Sequence, residues 1–341
     1  MPKLTRHRKR LHVLSTGILL VIFGLQIFAT NFVISPKTKY HLNTLHQQID
    51  TFEALPDFQS DQTVDQKTPP PDAPHSHFLL RPDLCSRRDV TLAVCVHSAR
   101  SNFLNRHAIR ATWHDYARQK NASAVLAFFI GVAPVGEDAW IAGNISREFG
   151  LYQDIIQDDF VDSYYNLSRK SLSNIHWVTR YCNNTRFYLK VDDDAYVDVL
   201  RLIDLLMNTT QLHPDEHFIL GGAGGGMNAK PIRNKISKWY VSEELFNETV
   251  YPPYVMGGSY AMTISAAFAI QRASAQLPVF FIEDIYVTGL CRRLTNVQLV
   301  RDRRISNLHF KVEKKRITGM NHKPGELVKI HQQILNMTNV T

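Results

Sequence analysis

An α/β domain with a mostly parallel central sheet, preceded by one membrane-spanning helix, is the fold this sequence predicts. Three observations predict it. Short apolar runs alternate with helix-patterned segments from about residue 89 onward, which is the signature of βαβ units. One of those runs ends in three consecutive aspartates, Asp192, Asp193 and Asp194. Residues 11–34, LHVLSTGILLVIFGLQIFATNFVI, contain no Lys, Arg, Asp or Glu.

The apolar run comes first in the chain. It exceeds the ~20 residues needed to cross a bilayer and the roughly 7–15 of a cleaved signal core. Lys3, Arg6, Arg8, Lys9 and Arg10 precede it, while only Lys37 and Lys39 follow closely. The positive-inside rule then predicts a cytoplasmic tail at 1–10, a signal-anchor helix at 11–34 and a lumenal remainder. From 35 to 88 the sequence is polar and aperiodic and includes TPPPDAP at 68–74. Such a segment favours extended conformations and reads as a stem. Residues 89–341 form the domain, which is long enough to bury a single core.

Within the domain, TLAVCVHSA (91–99), VLAFFIGV (125–132), QDIIQDDF (153–160) and RFYLKVD (186–192) read as strands. LNRHAIRATWHDYAR (104–118), EDAWIAGNISREFG (137–150, stopped by Gly150) and SYYNLSRKSLSNIHWVTRYC (163–182) read as helices between them. FILGG (218–222) and VMGGSYAMT (255–263) are shorter strand candidates. The run GGAGGG at 221–226 lacks the G-x-G-x-x-G spacing of a dinucleotide site and reads as a loop.

A formal net charge of +8 would suggest nucleic-acid binding in a cytosolic protein. In a lumenal one it suits anionic nucleotide-sugars, acidic glycans or a merely solvated surface. Cys85, Cys95, Cys182 and Cys291 all follow the anchor. An oxidising compartment predicts two disulfides, or one with two buried thiols, Cys95 in its apolar strand being the first candidate for a thiol. Eight N-x-Ser/Thr acceptor sites also follow it, at Asn121, Asn144, Asn166, Asn183, Asn208, Asn247, Asn336 and Asn339. So many together predict glycosylation at several, with Asn166 the weakest because it falls in a predicted helix.

The aspartate triplet carries the chemistry. Strand side chains alternate, so Asp192 and Asp194 point one way and Asp193 the other. Carboxylates this close repel, and a divalent cation relieves the repulsion. Mg²⁺ and Mn²⁺ prefer such oxygen ligands and share them with substrate phosphates. The carboxyl end of a sheet strand is where open α/β folds bind ligands.

Six segments, in order, resemble the inverting β-1,3-glycosyltransferases, the galactosyl- and N-acetylglucosaminyltransferases related to the fringe enzymes. They are RHAIRATW (106–113), QDDFVDSYYNLSRKSL (157–172), FYLKVDDDAYV (187–197), PIRNKISKWYVSEELF (231–246), YPPYVMGGSYAMT (251–263) and EDIYVTGLC (283–291). The resemblance implies a glycosyltransferase A-type nucleotide-sugar-binding fold and Golgi type II topology. It also implies a UDP-sugar donor, a glycan acceptor on protein or lipid, and Mn²⁺ with Mg²⁺ as the alternative. Nucleic acid has no part in this reading, and self-association stays open.

The resemblance also implies roles. Asp194 is the direct metal ligand, while Asp192 and Asp193 meet the metal's waters, the ribose or the donor sugar. His322 is the candidate second metal ligand, although the family histidine corresponds to Met320 here. Asp284 is the catalytic base, with Glu283 beside it. Independently of the family, Asp284 and Glu283 suit the start of the helix IYVTGLCRRL. Arg106 and Arg110, four apart on one helix face, reach the donor's diphosphate or pair with Asp158 and Asp159. Trp239 and Tyr240 contact the acceptor or pack. Gly257 and Gly258 admit the donor close to the backbone. Met320 favours an alternative from another class, a non-catalytic glycan- or nucleotide-binding or chaperone-like homologue.

Overall fold

In the computed structural model, which describes residues 77–86, 89–213, 217–222, 228–311 and 315–338, the folded domain begins inside the segment read as stem. β1 (Phe78–Leu80) pairs antiparallel with β4 (Ile155–Val161). Cys85, just after β1, is disulfide-bonded to Cys182. The predicted tail, anchor and most of the stem lie outside the described residues. Among the described residues no helix is long and apolar enough to cross a membrane.

β2 (Leu92–His97), β3 (Ala124–Val132), β4 and β5 (Phe187–Asp192) are the four predicted strands. They pair in parallel in the order β4-β3-β2-β5. All of β2 is buried, as expected of a strand covered on both faces. β6 (Tyr196–Val197) follows, then β7 (Phe218–Gly221), β8 (Ser259–Thr263) and β9 (Gln298–Arg301). β8 runs antiparallel between β5 and β7, and β9 closes the sheet parallel to β7. The eight-stranded order is β1-β4-β3-β2-β5-β8-β7-β9, and most neighbouring pairs are parallel. β10 (Thr318–Gly319) pairs only with β6.

α1 (Phe103–Ile109) continues through a π turn, Arg110–His114, into α2 (Asp115–Gln119). α3 (Ala139–Tyr152) starts on the Asp138 side chain, which accepts from the Trp140 N–H. It runs past Gly150 and stops where Gln153 turns left-handed at φ 50. A glycine predicted as the stop is therefore interior, because the cap position lies three residues on. α4 (Leu167–Tyr181), α5 (Val199–Leu212), α6 (Ile264–Ser274) and α7 (Pro324–Thr338) complete the layers.

Alternation along β2 divides the core. Leu92, Val94 and Val96 join residues of α1, α5 and α7. Ala93 and Cys95 join residues of α4 and α6. Cys95 and Cys291 are buried free thiols, so one bridge forms rather than two. Cys95 is held in the centre of β2 and Cys291 ends the helix Ile285–Cys291, so each is fixed by its own element. Cys85→Ser opens a loop spanning 97 residues of sequence and is expected to cost ~4–5 kcal/mol of stability, read as a fall in the urea midpoint under non-reducing conditions. An unchanged midpoint would show that the bridge contributes nothing.

Topology positions the site. β2 and β5 end side by side, His97 opposite Asp192. Because β8 is antiparallel to β5, its entry from Gly257 and Gly258 arrives at the same end, and the Asp192 N–H donates to Gly258 O at 3.1 Å. The β6–β10 pairing carries 318–322 to the aspartate turn, where the His322 N–H donates to Asp194 O at 3.0 Å.

Candidate active site

A cavity of about 500 Å³ opens at this end of the sheet. Asp192, Asp194, Gly257, Gly258, Glu283 and Asp284 all line it. Strand alternation works as expected: Asp193 turns away, is buried, and accepts from Ser98 Oγ at 2.6 Å and Asn102 Nδ2 at 3.0 Å. It therefore braces the turn against the start of α1 and does not line the cavity.

Asp194 differs. Its Oδ1 is buried without a hydrogen-bond partner, a costly arrangement for a carboxylate. Burial, then Asp192 and Asp193, push its pKa up to about 6. An unpartnered carboxylate oxygen beside a second carboxylate fits a hard divalent cation that takes its remaining positions from phosphate and water. Among the described residues no three His, Cys, Asp or Glu side chains gather as a complete metal cage.

Lys190 is the hub. Its buried ammonium donates to Asp192 Oδ1 and to Gly257 O, both at 2.5 Å, and lies 3.9 Å from Glu283 Oε2. Burial alone would lower its pKa, but Asp192 and Glu283 reverse this and raise it. The cation thus ties the aspartate turn to the strand entry that faces Asp284.

Asp284 caps the helix Ile285–Cys291. Its Oδ1 accepts from the Ile285 N–H at 2.9 Å and its Oδ2 from the Gly257 N–H at 3.0 Å. Two amides fix the carboxylate plane and leave lone pairs on both oxygens. Burial raises its pKa, which makes the ionised form a stronger base. A Cβ at Gly257 would stand 3.0 Å from Glu283 Oε2 and 3.2 Å from Asp284 Cβ, so the absence of a side chain lets this loop lie against the pair.

Glu283 is buried, and its Oε1 accepts from Ser171 Oγ at 2.5 Å and Tyr260 OH at 2.7 Å. Burial pushes its pKa up to about 7, against the pull of Lys190 and with added repulsion from Asp284. Folding therefore favours its protonated form. Its stabilising contribution is complete below the ordinary value of 4.5 and is lost as pH rises through about 7. Relative to wild type, Glu283→Gln should gain stability between those pH values by up to ~3 kcal/mol, then level off. Thermal melts of both proteins from pH 4 to 8 check this, and parallel curves would refute it.

The other predicted residues separate. Arg106 is fully buried and spends its guanidinium on Glu148, Ser98 Oγ and the carbonyls of Ala99 and Arg100. Arg110 pairs with Glu148 and Asp154. Neither arginine lines the cavity, and their partners are Glu148 and Asp154 in place of the expected Asp158 and Asp159; a buried guanidinium is stabilised by an enclosed carboxylate. Through Ser98, Arg106 supports Asp193. His322 lies apart from the cavity wall. Its Nε2 accepts from the Phe310 N–H at 2.9 Å, and its ring packs edge-on against His309. Met320 does line the cavity.

Trp239 lines the cavity, while Tyr240 does not and instead pairs its backbone with Ile232. Of the acceptor sequons, Asn121, Asn183, Asn208 and Asn247 are exposed, whereas Asn144 is buried with Nδ2 donating to Trp140 O at 2.8 Å. Facing inward from α3, Asn144 does not suit an acceptor.

The profile of the family described as "Galactosyltransferase" matches residues 104–303. The chain belongs to this galactosyltransferase family. Within the family, human beta-1,3-galactosyltransferase 1 is 32% identical over 222 residues, 64% of this chain and 66% of that protein. Human lactosylceramide 1,3-N-acetyl-beta-D-glucosaminyltransferase is 34% identical over 221 residues, 64% of this chain and 57% of that protein. The chain thus spans less than two thirds of the length of these relatives, 66% of one and 57% of the other. Among solved structures, the apo form of the bifunctional glycosyltransferase WbbM covers 71% of this chain at 11% identity and a TM-score of 0.41. At that score the likeness carries nothing about the site.

The matched span includes the aspartate turn, Gly257, Gly258, Glu283 and Asp284, while Asn307, Met320 and Asn321, which also line the cavity, lie beyond it. Lys190 and Tyr164, also lining the cavity, went unassigned in sequence. The signal for Lys190 was a lysine inside an apolar strand, on the same face as Asp192 two residues on. Tyr164 offered none, because a Ser-Tyr-Tyr turn has no periodicity.

Proposed function

We propose that this galactosyltransferase-family chain is an inverting β-1,3-hexosyltransferase. It moves galactose or N-acetylglucosamine from a UDP-sugar to a hydroxyl of a glycan on protein or lipid. The observation that carries this reading is Asp284, fixed by two backbone amides in the same cavity as Asp192 and Asp194. Inversion needs the acceptor hydroxyl to attack opposite the departing UDP, with a carboxylate within hydrogen-bond reach to take its proton. Asp284 is that base, and burial strengthens it. Glu283 and Lys190 hold the loop that presents it.

Mn²⁺ is the proposed cofactor, with Mg²⁺ as a substitute. Asp194 would hold it, with Asp192 beside it. Bound there, the cation neutralises charge developing on the diphosphate. The uncharged run at 11–34, with basic residues before it, supports a single-pass type II anchor that places the domain in the Golgi lumen.

Met320 in the cavity, where the family histidine is expected, favours a second reading as a non-catalytic nucleotide- or glycan-binding homologue. A donor screen separates the two: purified lumenal domain, Mn²⁺, a panel of UDP-sugars and detection of released UDP. Release from UDP-galactose or UDP-N-acetylglucosamine is expected. Binding of UDP without release from any donor would support the second reading.

A further inference from the structure

Two acceptor oxygens in the cavity wall meet no donor. Among the described residues that line the cavity, Asp194 Oδ1, Asn307 Oδ1 and the Tyr251 hydroxyl are buried side-chain atoms without a hydrogen-bond partner. A tyrosine hydroxyl carries its own proton to donate, whereas carboxylate and amide oxygens only accept. Burying two such acceptors unmet in one cavity is costly. Asp194 has its place in the proposed mechanism, but Asn307 has none.

The fold ties Asn307 to the aspartate turn through two routes. The first is the segment 318–322. The Ser306 N–H donates to Thr318 Oγ1 at 2.9 Å, and the Met320 N–H donates to Leu308 O at 3.0 Å. Asn321 Nδ2 donates to the Asn307 carbonyl at 3.3 Å. One residue further on, the His322 N–H donates to Asp194 O at 3.0 Å, so one short segment is bonded to both residues. The second route is Gly258. A Cβ there would stand 3.0 Å from Asn307 Oδ1 and 3.0 Å from Met320 Cε. The carbonyl of the same glycine accepts from the Asp192 N–H at 3.1 Å. The Asn307 amide is thus packed against the backbone that the aspartate turn is bonded to.

We propose that Asn307 Oδ1 is the second protein ligand of the divalent cation that Asp194 holds, in place of the histidine that the family resemblance expects at Met320. The proposal rests on the transferase reading and deepens it by naming the residue that makes good this chain's departure. Hard divalent cations take amide carbonyl oxygens alongside carboxylates. A neutral ligand adds coordination without adding to the repulsion among three neighbouring aspartates. The Met320 thioether is soft and does not serve such an ion. An amide oxygen repels the oxygens of a diphosphate, so this atom meets the cation and not the phosphates it bridges.

Calorimetry of UDP binding to the purified full-length chain, with and without Mn²⁺, tests this, and electron paramagnetic resonance of free Mn²⁺ in the presence of UDP reads the metal directly. Mn²⁺ should raise the affinity of wild type for UDP. Asn307→Ala should lose at least about tenfold in Mn²⁺ affinity, with its metal-free affinity for UDP unchanged. Asn307→Asp keeps the shape and adds charge, and should hold Mn²⁺ at least as tightly as wild type. Near-UV circular dichroism would confirm that each variant is folded, and Asn307→Leu, closer in volume, serves if Asn307→Ala does not fold. The proposal is overturned if Mn²⁺ leaves wild-type UDP affinity unchanged, if the folded Asn307→Ala or Asn307→Leu holds Mn²⁺ as wild type does, if UDP affinity falls equally without metal, or if Asn307→Asp holds Mn²⁺ as weakly as Asn307→Ala. The transferase reading fails separately, through absence of UDP release from every donor by wild type. UDP release with Mn²⁺ affinity intact in Asn307→Ala would strike the ligand and leave the transferase. Mn²⁺ affinity lost in Asn307→Ala, without UDP release by wild type, would keep the ligand and remove the enzyme.

Discussion

Asp284→Asn is expected to lower transfer by about 10²–10⁴-fold, the usual contribution of a positioned general base, while affinity for the donor should stay within about twofold. The Asp284 carboxylate accepts from two amides and lines the cavity. An asparagine keeps the volume and one accepting oxygen but presents an NH₂ to the second amide, Gly257 or Ile285. That local mismatch costs roughly 1–3 kcal/mol of stability, so a thermal melt must accompany the kinetics. The informative result is lost turnover in a folded variant that still binds UDP-sugar. Wild-type turnover would place the base elsewhere in the cavity.

Asp194→Ala removes the buried oxygen that has no partner in the protein. If that oxygen meets a cation, its loss withdraws several kcal/mol of charge stabilisation and turnover falls by at least about 10³-fold. Donor affinity then ceases to respond to Mn²⁺, a change calorimetry reads directly by titrating UDP with and without the metal. The stability change runs the other way. Burial and neighbouring carboxylates raise the Asp194 pKa, so in metal-free protein near neutral pH the alanine should be at least as stable as wild type. Retained Mn²⁺-enhanced UDP binding in Asp194→Ala would remove Asp194 from the metal site.

The two substitutions report on different parts of one cavity. On the proposed reading, a fault at Asp284 should leave donor binding intact, whereas a fault in the aspartate turn should remove its dependence on Mn²⁺. Lys190 links those parts, since it bonds both Asp192 and the carbonyl of Gly257, whose amide holds Asp284.

What the chain determined by itself is local and periodic. Runs of apolar residues specified β2 to β5, and strand alternation sent Asp193 away from the cavity that Asp192 and Asp194 share. The Glu283-Asp284 pair before an apolar helix marked a rigid mount. These properties depend on neighbours within a few residues, so a linear sequence displays them.

The partners of each buried charge were decided only by the tertiary structure. Arg106 and Arg110 look like anion ligands along one helix face, but Glu148 on α3 and Asp154 beyond it occupy them. His322 arrives beside Asp194 through the pairing of β6 with β10, and that same packing hands its ring nitrogen to Phe310. Two distant segments meet as Tyr164 and Trp239 with no pattern in either to announce it. A buried charge or ring must be satisfied by whatever the fold brings near, and those neighbours are set by long-range strand order and helix packing, which spacing along the chain does not encode.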